Sequence, residues 1–262
     1  MKSIVTKLIY VNAGVFLLIR LVGVGLQLFN AGGDATVLRW LQLPSDPEEW
    51  LYRPWTALTY AMVHYDLWHI IFNMLWLYWF GKLFLMFFNE RKLWELYVLG
   101  GIAGGGLFMA ACNVFPYFRS VMGGSYLMGA SASVMAIVFA VSFHRKDYAI
   151  DLLFLGRVKL VYLALGVFLL DFLSITSSNA GGHVAHIGGA LIGIGFALWE
   201  KNRLQIQVSS PRHRRPETDH DYNARKRREE QELDTILDKV KRSGYASLSS
   251  AEKKRLFDNS KR

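Results

Sequence analysis

Charged residues are scarce in most of this chain. Asp, Glu, Lys and Arg make up 19% of its 262 residues, whereas soluble domains carry about 25%. The shortage is confined to the first two hundred residues, because 27 of the 51 charged residues fall in residues 201–262. Hydrophobic residues reach 52%. This distribution predicts a membrane domain over residues 1–200 followed by a soluble tail. It excludes a fully soluble enzyme and a fibrous protein.

Cysteine and the usual metal-binding motifs are also lacking. Cys112 is the one cysteine of the chain and lies in an apolar stretch, so an intrachain disulfide and a zinc–cysteine site are both excluded. The chain has no H-E-x-x-H run, which would place two histidine ligands and a general base on one helix face. We therefore expect no metal and no cofactor. The histidines and the aspartate of the membrane domain keep a metal site as an alternative.

Six apolar stretches predict transmembrane helices, for which about 20 apolar residues suffice. They are residues 8–28, 67–88, 94–114, 127–143, 158–174 and 184–199. The sequence thus predicts an all-α polytopic membrane protein with six transmembrane helices. With the N-terminus inside, nine Lys and Arg lie on the inner side of the spans and three on the outer side, which predicts that both termini are cytoplasmic. The absence of a transit peptide favours the bacterial plasma membrane over an organelle.

The composition changes abruptly after the sixth span. Residues 201–228 contain two prolines and two basic clusters and predict a basic, flexible linker. Residues 229–262 predict a small cytoplasmic helical hairpin, because apolar residues recur at helical spacing, Gly244 can end the first helix, and Ser249 with Glu252 forms a capping box for the second. The tail carries +7 of the net charge of +9. This favours contact with anionic lipid headgroups or a partner protein over binding of nucleic acid.

Polar side chains inside the predicted spans are the candidate functional residues, because burying them in a bilayer is costly. His69 and Asn73 are four residues apart near the start of the second span, hence on one helix face. Ser131 lies near the start of the fourth span, and His183 and His186 begin the sixth. The predicted topology places all of them towards the outer ends of their helices. Residues distant in sequence therefore share one depth in the membrane.

A serine and a histidine at one depth favour nucleophilic catalysis. A serine hydroxyl needs a base to take its proton, and a histidine with a pKa near ~6.5 is the usual partner. Ser131, at a helix N-terminus, has free backbone N–H groups beside it that can hold an oxyanion, and His69 and Asn73 can add donors. No spacing connects the carboxylate of Asp171 to His186. The sequence therefore favours a two-residue arrangement of Ser131 and His186.

Small residues on the fourth and sixth spans support this pairing. Gly189 and Gly193 form a G-x-x-x-G step on the sixth span, and alanines recur every four residues on the fourth, at Ala132, Ala136 and Ala140. Small residues let two helices approach closely, as a hydrogen bond between Ser131 and His186 requires. A G-x-x-x-G step alone discriminates poorly, because many membrane helices contain one.

Three motifs in residues 50–200 resemble those of rhomboid intramembrane serine proteases of the six-span bacterial type. The G-x-S-x motif lies at residues 129–132 and begins with Gly129. The A-H-x-x-G motif lies at residues 185–189, and the H-x-x-x-N motif at residues 69–73. Each motif alone is modest, but the three occur in the family's order and on the expected spans.

The resemblance implies a rhomboid-like helical bundle and assigns roles to the candidate residues. It implies that Ser131 is the nucleophile and that His186 is first the general base and then the general acid. It also implies an oxyanion site formed by the backbone amides of Ser131 and Ala130 with the side chains of His69 and Asn73.

The chain departs from the family pattern at three places. Ala132 follows the serine where many members have glycine. Met135 lies where some members have a tyrosine that stacks on the catalytic histidine. Residues 82–89 lack a glutamate that many members carry, and Glu90 follows directly. None of these changes removes a catalytic group, but they bear on the rigidity of the His186 ring and on activity.

The sequence therefore predicts an intramembrane serine endopeptidase. It would cleave transmembrane or membrane-proximal segments of membrane proteins through a Ser131–His186 dyad and an acyl-enzyme. Besides the metal site, three alternatives remain. His183 could be the base; the chain could be a non-proteolytic rhomboid-like protein that binds or chaperones membrane clients; or it could be a transporter or channel, whose repeats and broken helices are not apparent.

Overall fold

The structure is a computed structural model, which describes residues 2–64, 66–152, 156–177, 179–209 and 219–259. The chain divides into two compact units, Met1–Gln205 and Ile206–Arg262. The described residues form helices with a few short strands, in agreement with the predicted all-α class. In chain order the helices are α1 (Ile4–Leu28), α2 (Asp34–Leu41), α3 (Pro47–Tyr52), α4 (Thr56–Thr59), α5 (Leu67–Leu85), α6 (Glu90–Val114), α7 (Pro116–Met122), α8 (Ser131–His144), α9 (Leu160–Leu173), α10 (Ala180–Ser209), α11 (Asp219–Ser243) and α12 (Ser250–Asn259).

A helix occupies most of each of the six apolar stretches, but these helices differ in length and in their capacity to cross a bilayer. In the described part of the chain, α1, α6 and α10 are long and apolar enough to span a membrane. Helices α8 and α9 are apolar but have 14 residues each, which gives a length of about 21 Å against a hydrocarbon thickness of about 30 Å. Three membrane-capable helices are thus present, and the number six stays a prediction.

Helix α8 lies at the centre of the first unit. From Ala132 to Ser142 every residue except Met135 is buried. Helix α6 packs against it through glycines, since a Cβ atom on Gly100 or Gly104 would lie 2.4 Å from the Cβ atom of Ala136 or Ala132 respectively. Because α8 contacts protein along its length, little of its backbone faces lipid even though the helix is short.

Short strands replace parts of two predicted spans. Strands β1 (Leu43–Pro44) and β2 (Tyr126–Leu127) pair antiparallel, so the fourth helix begins at Ser131 instead of residue 127. Strands β3 (Ala149–Leu152) and β4 (Gly156–Lys159) form an antiparallel hairpin, and α9 follows directly. Leu127 of β2 and Val158 of β4 belong to the predicted fourth and fifth spans, because apolarity alone does not distinguish a strand residue from the end of a helix.

The second unit contains α11 and α12. Gly244, with a φ of 75°, follows the end of α11. The predicted capping box at the start of α12 is confirmed, because the Ser249 N–H donates to Glu252 Oε2 at 2.7 Å and the Glu252 N–H donates to Ser249 Oγ at 3.3 Å. Lys239 also donates to Glu252, at 3.0 Å, and so connects α11 to α12.

The basic segment predicted as a flexible linker, residues 201–228, contains the boundary between the two units. Helix α10 continues through Ser209, and α11 begins at Asp219, so the described parts of residues 201–228 are helical where a flexible linker was predicted. No glycine or proline interrupts residues 201–209, and the helix therefore has no local reason to end there. The remainder of the predicted linker, residues 210–218, lies outside the described residues.

Candidate active site

The residues predicted to carry the chemistry lie around one cavity of about 260 Å³. Ser131, His186, His69 and Asn73 all line it. The cavity lies where α5, α8 and α10 begin. The remaining lining residues are Phe72, Trp76, Met128, Val134, Met135, Asn179 and Gly182. The fold therefore brings together candidates that are separated by more than one hundred residues in sequence.

Ser131 is the first residue of α8 and is half-buried. No side chain caps this helix at Ala130, so the N–H groups of its first turn have no intrahelical acceptor and are available to an anion. In the described part of the chain, the Ser131 hydroxyl makes no hydrogen bond with His186, although both line the cavity. Catalytic hydrogen bonds are often long without substrate and shorten in its presence.

Gly129 lets the chain before Ser131 pass close to His69. Its φ is +123°, a conformation that residues with a Cβ atom rarely adopt. A Cβ atom at this position would lie 2.9 Å from Nε2 of His69 and 3.7 Å from Oγ of Ser131. The glycine of the G-x-S-x motif has no side chain, and this leaves space for the His69 ring beside Ser131.

His69 and Asn73 are held at the start of α5. The His69 N–H donates to Asp66 Oδ1 at 2.9 Å, which caps the helix. The Asn73 side-chain amide donates one hydrogen bond to the His69 carbonyl at 2.9 Å, and its second N–H is left over for another acceptor. The buried ring of His64 packs edge-on against the His69 ring, with 5.1 Å between ring centroids. Both predicted oxyanion side chains are therefore fixed by neighbours.

A carboxylate that the sequence did not connect to the site contacts His186. Asp171 Oδ1 lies 2.9 Å from Nδ1 of His186 and 2.7 Å from Nδ1 of His183. The two histidines are three residues apart at the start of α10 and so lie on one helix face, while Asp171 lies in the last turn of α9. The signal in the sequence was an acidic residue near the end of an apolar stretch, since a negative charge at a helix C-terminus is unfavourable without a partner.

The same three side chains have donor types that can bind a divalent cation. Their nearest ligand atoms lie within 4.8 Å of one another, and histidine with carboxylate is a common zinc ligand set. The separations of 2.7 and 2.9 Å match ordinary N–H···O hydrogen bonds. Hydrogen bonding thus explains the arrangement with no ion.

Helices α8 and α10 approach each other through glycine. A Cβ atom on Gly189 would lie 2.0 Å from the carbonyl oxygen of Ala132, and one on Gly193 would lie 2.3 Å from that of Ala136. Both glycines therefore lie directly on the α8 backbone. This close approach places the beginning of α10, with His186, beside the beginning of α8, with Ser131.

The departures from the family motifs have clear positions. Met135 is part of the cavity wall together with His186. Ala132 is buried against Gly104 and Gly189. Glu90, which follows the segment without the expected glutamate, accepts a hydrogen bond from the Ile4 N–H at 3.2 Å. This carboxylate therefore contacts the first turn of α1.

Comparison with known proteins places these motifs in a family. The Rhomboid domain model matches residues 52–201, and a family of unknown function, DUF6576, matches residues 217–262. Rhomboid protease GlpG of Yersinia pseudotuberculosis is 26% identical over 172 residues, which cover 64% of this chain and 55% of that protein. The same-named protein of Photorhabdus laumondii is 27% identical, with 64% and 54% covered.

A plant relative matches over a longer stretch. The mitochondrial RHOMBOID-like protein 12 of Arabidopsis thaliana is 29% identical over 218 residues, which cover 78% of this chain and 61% of that protein. The chain spans about half the length of the bacterial relatives. The domain match, together with the three membrane-capable helices, makes this a multi-pass membrane protein, and because that match covers more than half of the chain, the chain belongs to the rhomboid family.

Proposed function

We propose that the protein is an intramembrane serine endopeptidase. The observation that carries the proposal is the shared cavity, in which Ser131 at an uncapped helix N-terminus and His186 are both present. Relatives that carry the name rhomboid protease support the assignment. The proposal includes the dyad itself, since a nucleophile and a base are the minimum for acyl transfer by serine.

The proposed mechanism uses the groups that line the cavity. His186 takes the proton of the Ser131 hydroxyl as Oγ attacks the scissile carbonyl, and the tetrahedral oxyanion is held by the free N–H groups at the start of α8 and by His69 and Asn73. His186 then donates its proton to the leaving amine, and an acyl-enzyme remains on Ser131. Water, deprotonated by His186, hydrolyses this ester and restores the serine.

The substrates are transmembrane or membrane-proximal segments of membrane proteins. A segment must unwind locally to be cut, because a helix uses its carbonyl groups in internal hydrogen bonds. We further propose six spans with both termini in the cytoplasm, in a bacterial plasma membrane, on the basis of the distribution of Lys and Arg around the spans. The tail, with its excess of positive charge, contacts anionic headgroups or a protein partner.

Cleavage of a fluorogenic transmembrane peptide in liposomes tests the proposal. The wild type is compared with Ser131→Ala, His186→Ala and the control Ser133→Ala, which removes a buried hydroxyl two residues along the same helix. We expect cleavage by the wild type and by Ser133→Ala, and none by the other two variants. Cleavage by Ser131→Ala would contradict the proposal. Membrane proteins that bind the wild type and the variants but are cut by none of them would favour the non-proteolytic alternative.

A further inference from the structure

The hydrogen bonds around Asp171 determine which nitrogen of His186 carries a proton. An ionised carboxylate only accepts hydrogen bonds, so the Nδ1 atom that faces Asp171 Oδ1 at 2.9 Å must be the protonated one. In a neutral imidazole the other nitrogen, Nε2, then has the free lone pair. A general base needs that lone pair to take the serine proton.

The cavity distinguishes the two histidines that share Asp171. His186 lines the cavity with Ser131, whereas His183 is not among the described residues that line it. His183 donates to the same carboxylate oxygen at 2.7 Å. Two N–H donors on one oxygen restrict the carboxylate more than one donor does. His183 therefore acts on Asp171, and through it on the His186 ring.

We infer that Asp171 is a positioning residue that holds His186 in the tautomer with a proton on Nδ1, and that His183 fixes the carboxylate by donating to the same oxygen, Oδ1. This inference rests on the proposed function and adds a third group to the serine–histidine pair. When His186 takes the serine proton, the carboxylate also faces the new positive charge, which is the arrangement that stabilises an imidazolium. The burial of Asp171 strengthens this interaction because water is largely excluded.

The test combines kinetics with a direct reading of the tautomer. Substrate cleavage gives kcat and KM for the wild type, Asp171→Asn, Asp171→Glu, His183→Ala and the control Asp147→Asn, which removes an exposed carboxylate paired with Lys159. Nitrogen-15 NMR of the histidine rings in detergent identifies the protonated nitrogen of His186. Thermal unfolding of each variant separates loss of activity from loss of fold.

We expect Asp171→Asn to lower kcat by about 100-fold with KM nearly unchanged, since a positioned acid–base group contributes about 100-fold or more. Its amide N–H can face Nδ1 and favour the wrong tautomer. Asp171→Glu restores part of the activity, because it keeps the charge. His183→Ala lowers kcat less than Asp171→Asn does, because Asp171 loses one of its two donors while its bond to His186 stays in place, and a kcat equal to that of the wild type would remove His183 from the inference. Asp147→Asn matches the wild type in kcat and in tautomer.

Two results would overturn the inference. One is a wild-type His186 ring protonated on Nε2, which can be measured even if every Asp171 variant fails to fold. The other is a folded Asp171→Asn enzyme with unchanged kcat and tautomer. Ser131→Ala is assayed beside these variants, and if it abolishes cleavage while either of these results is obtained, the inference alone fails. If Ser131→Ala also cleaves, the proposed function fails with it.

Discussion

Gly189 on α10 packs directly on the carbonyl oxygen of Ala132 on α8, with only 2.0 Å available between a Cβ atom at 189 and that oxygen. Because Ala132 follows Ser131, and Gly189 is three residues after His186, this contact sets the distance between the two halves of the candidate dyad. Backbone cannot move aside as a flexible side chain can. The close spacing of α8 and α10 therefore depends on the absence of a side chain at residue 189.

A methyl group at this contact separates the two helices. We expect Gly189→Ala to lower the free energy of unfolding by about 1–3 kcal/mol, as overpacking does, and to abolish most cleavage. The matched control is Gly195→Ala on the same helix, where nothing lies within 4 Å of the new Cβ atom and where alanine favours the helix by up to about 1 kcal/mol. Equal activity of the two variants would show that the contact does not position the dyad.

Substitutions of Gly129 and Gly124 distinguish the effect of a clash with His69 from the effect of backbone strain. Gly129→Ala places a methyl group 2.9 Å from the His69 ring and forces alanine into a positive φ. We expect a loss of kcat together with a destabilisation of about 1–3 kcal/mol. Gly124→Ala, also at positive φ but with no atom within 4 Å, is the control. It should lose stability and keep kcat, and a matching loss of kcat in both variants would argue against a role for the His69 contact.

Removal of metal ions tests whether the Asp171 cluster uses one. The hydrogen bonds among Asp171, His183 and His186 account for their positions, so we expect dialysis against a chelator to leave the cleavage rate unchanged. The measurement is the initial rate before and after chelation, followed by addition of zinc. A loss on chelation that zinc reverses would support the metal-site alternative instead.

Acid weakens the capping box of the tail hairpin. The Ser249 N–H and the Lys239 ammonium lower the pKa of Glu252 from its ordinary 4.5 to about 2. A lowered folded-state pKa means that the stabilisation is present above pH 4.5 and is lost as the pH falls towards 2. Hydrogen exchange of the full chain should show the first turn of α12 losing protection in that window. Glu252→Gln should remove this pH dependence, and an unchanged profile would contradict the assignment.

The long helices could be predicted from the sequence because their signal is local. Apolar runs of sufficient length predict helices at α1 and α6 with little dependence on the rest of the chain. The ends of the runs were less predictable, since apolar residues such as Leu127 and Val158 lie in short paired strands instead of helices. Those strands depend on partners elsewhere in the chain, which periodicity does not reveal.

The residues of the candidate site could be predicted where spacing within one helix or a known motif identified them. His69 and Asn73 lie on one face of α5, and Ser131 and His186 belong to motifs. The bond between Asp171 and His186 was not predictable, because the chain leaves α9, turns and enters α10 between them, and no periodicity applies across that turn. The acidic residue at the end of an apolar helix was the one local signal, and it did not identify a partner.

Covalent labelling tests the central claim most directly. The protein in detergent is treated with a fluorophosphonate, which reacts with an activated serine hydroxyl, and the modified peptide is identified by mass spectrometry. We predict modification of Ser131 in the wild type and in Ser133→Ala, and its loss in His186→Ala, because the hydroxyl is a poor nucleophile without its base. Equal labelling of Ser131 in wild type and His186→Ala, or labelling at another serine alone, would contradict a Ser131–His186 protease.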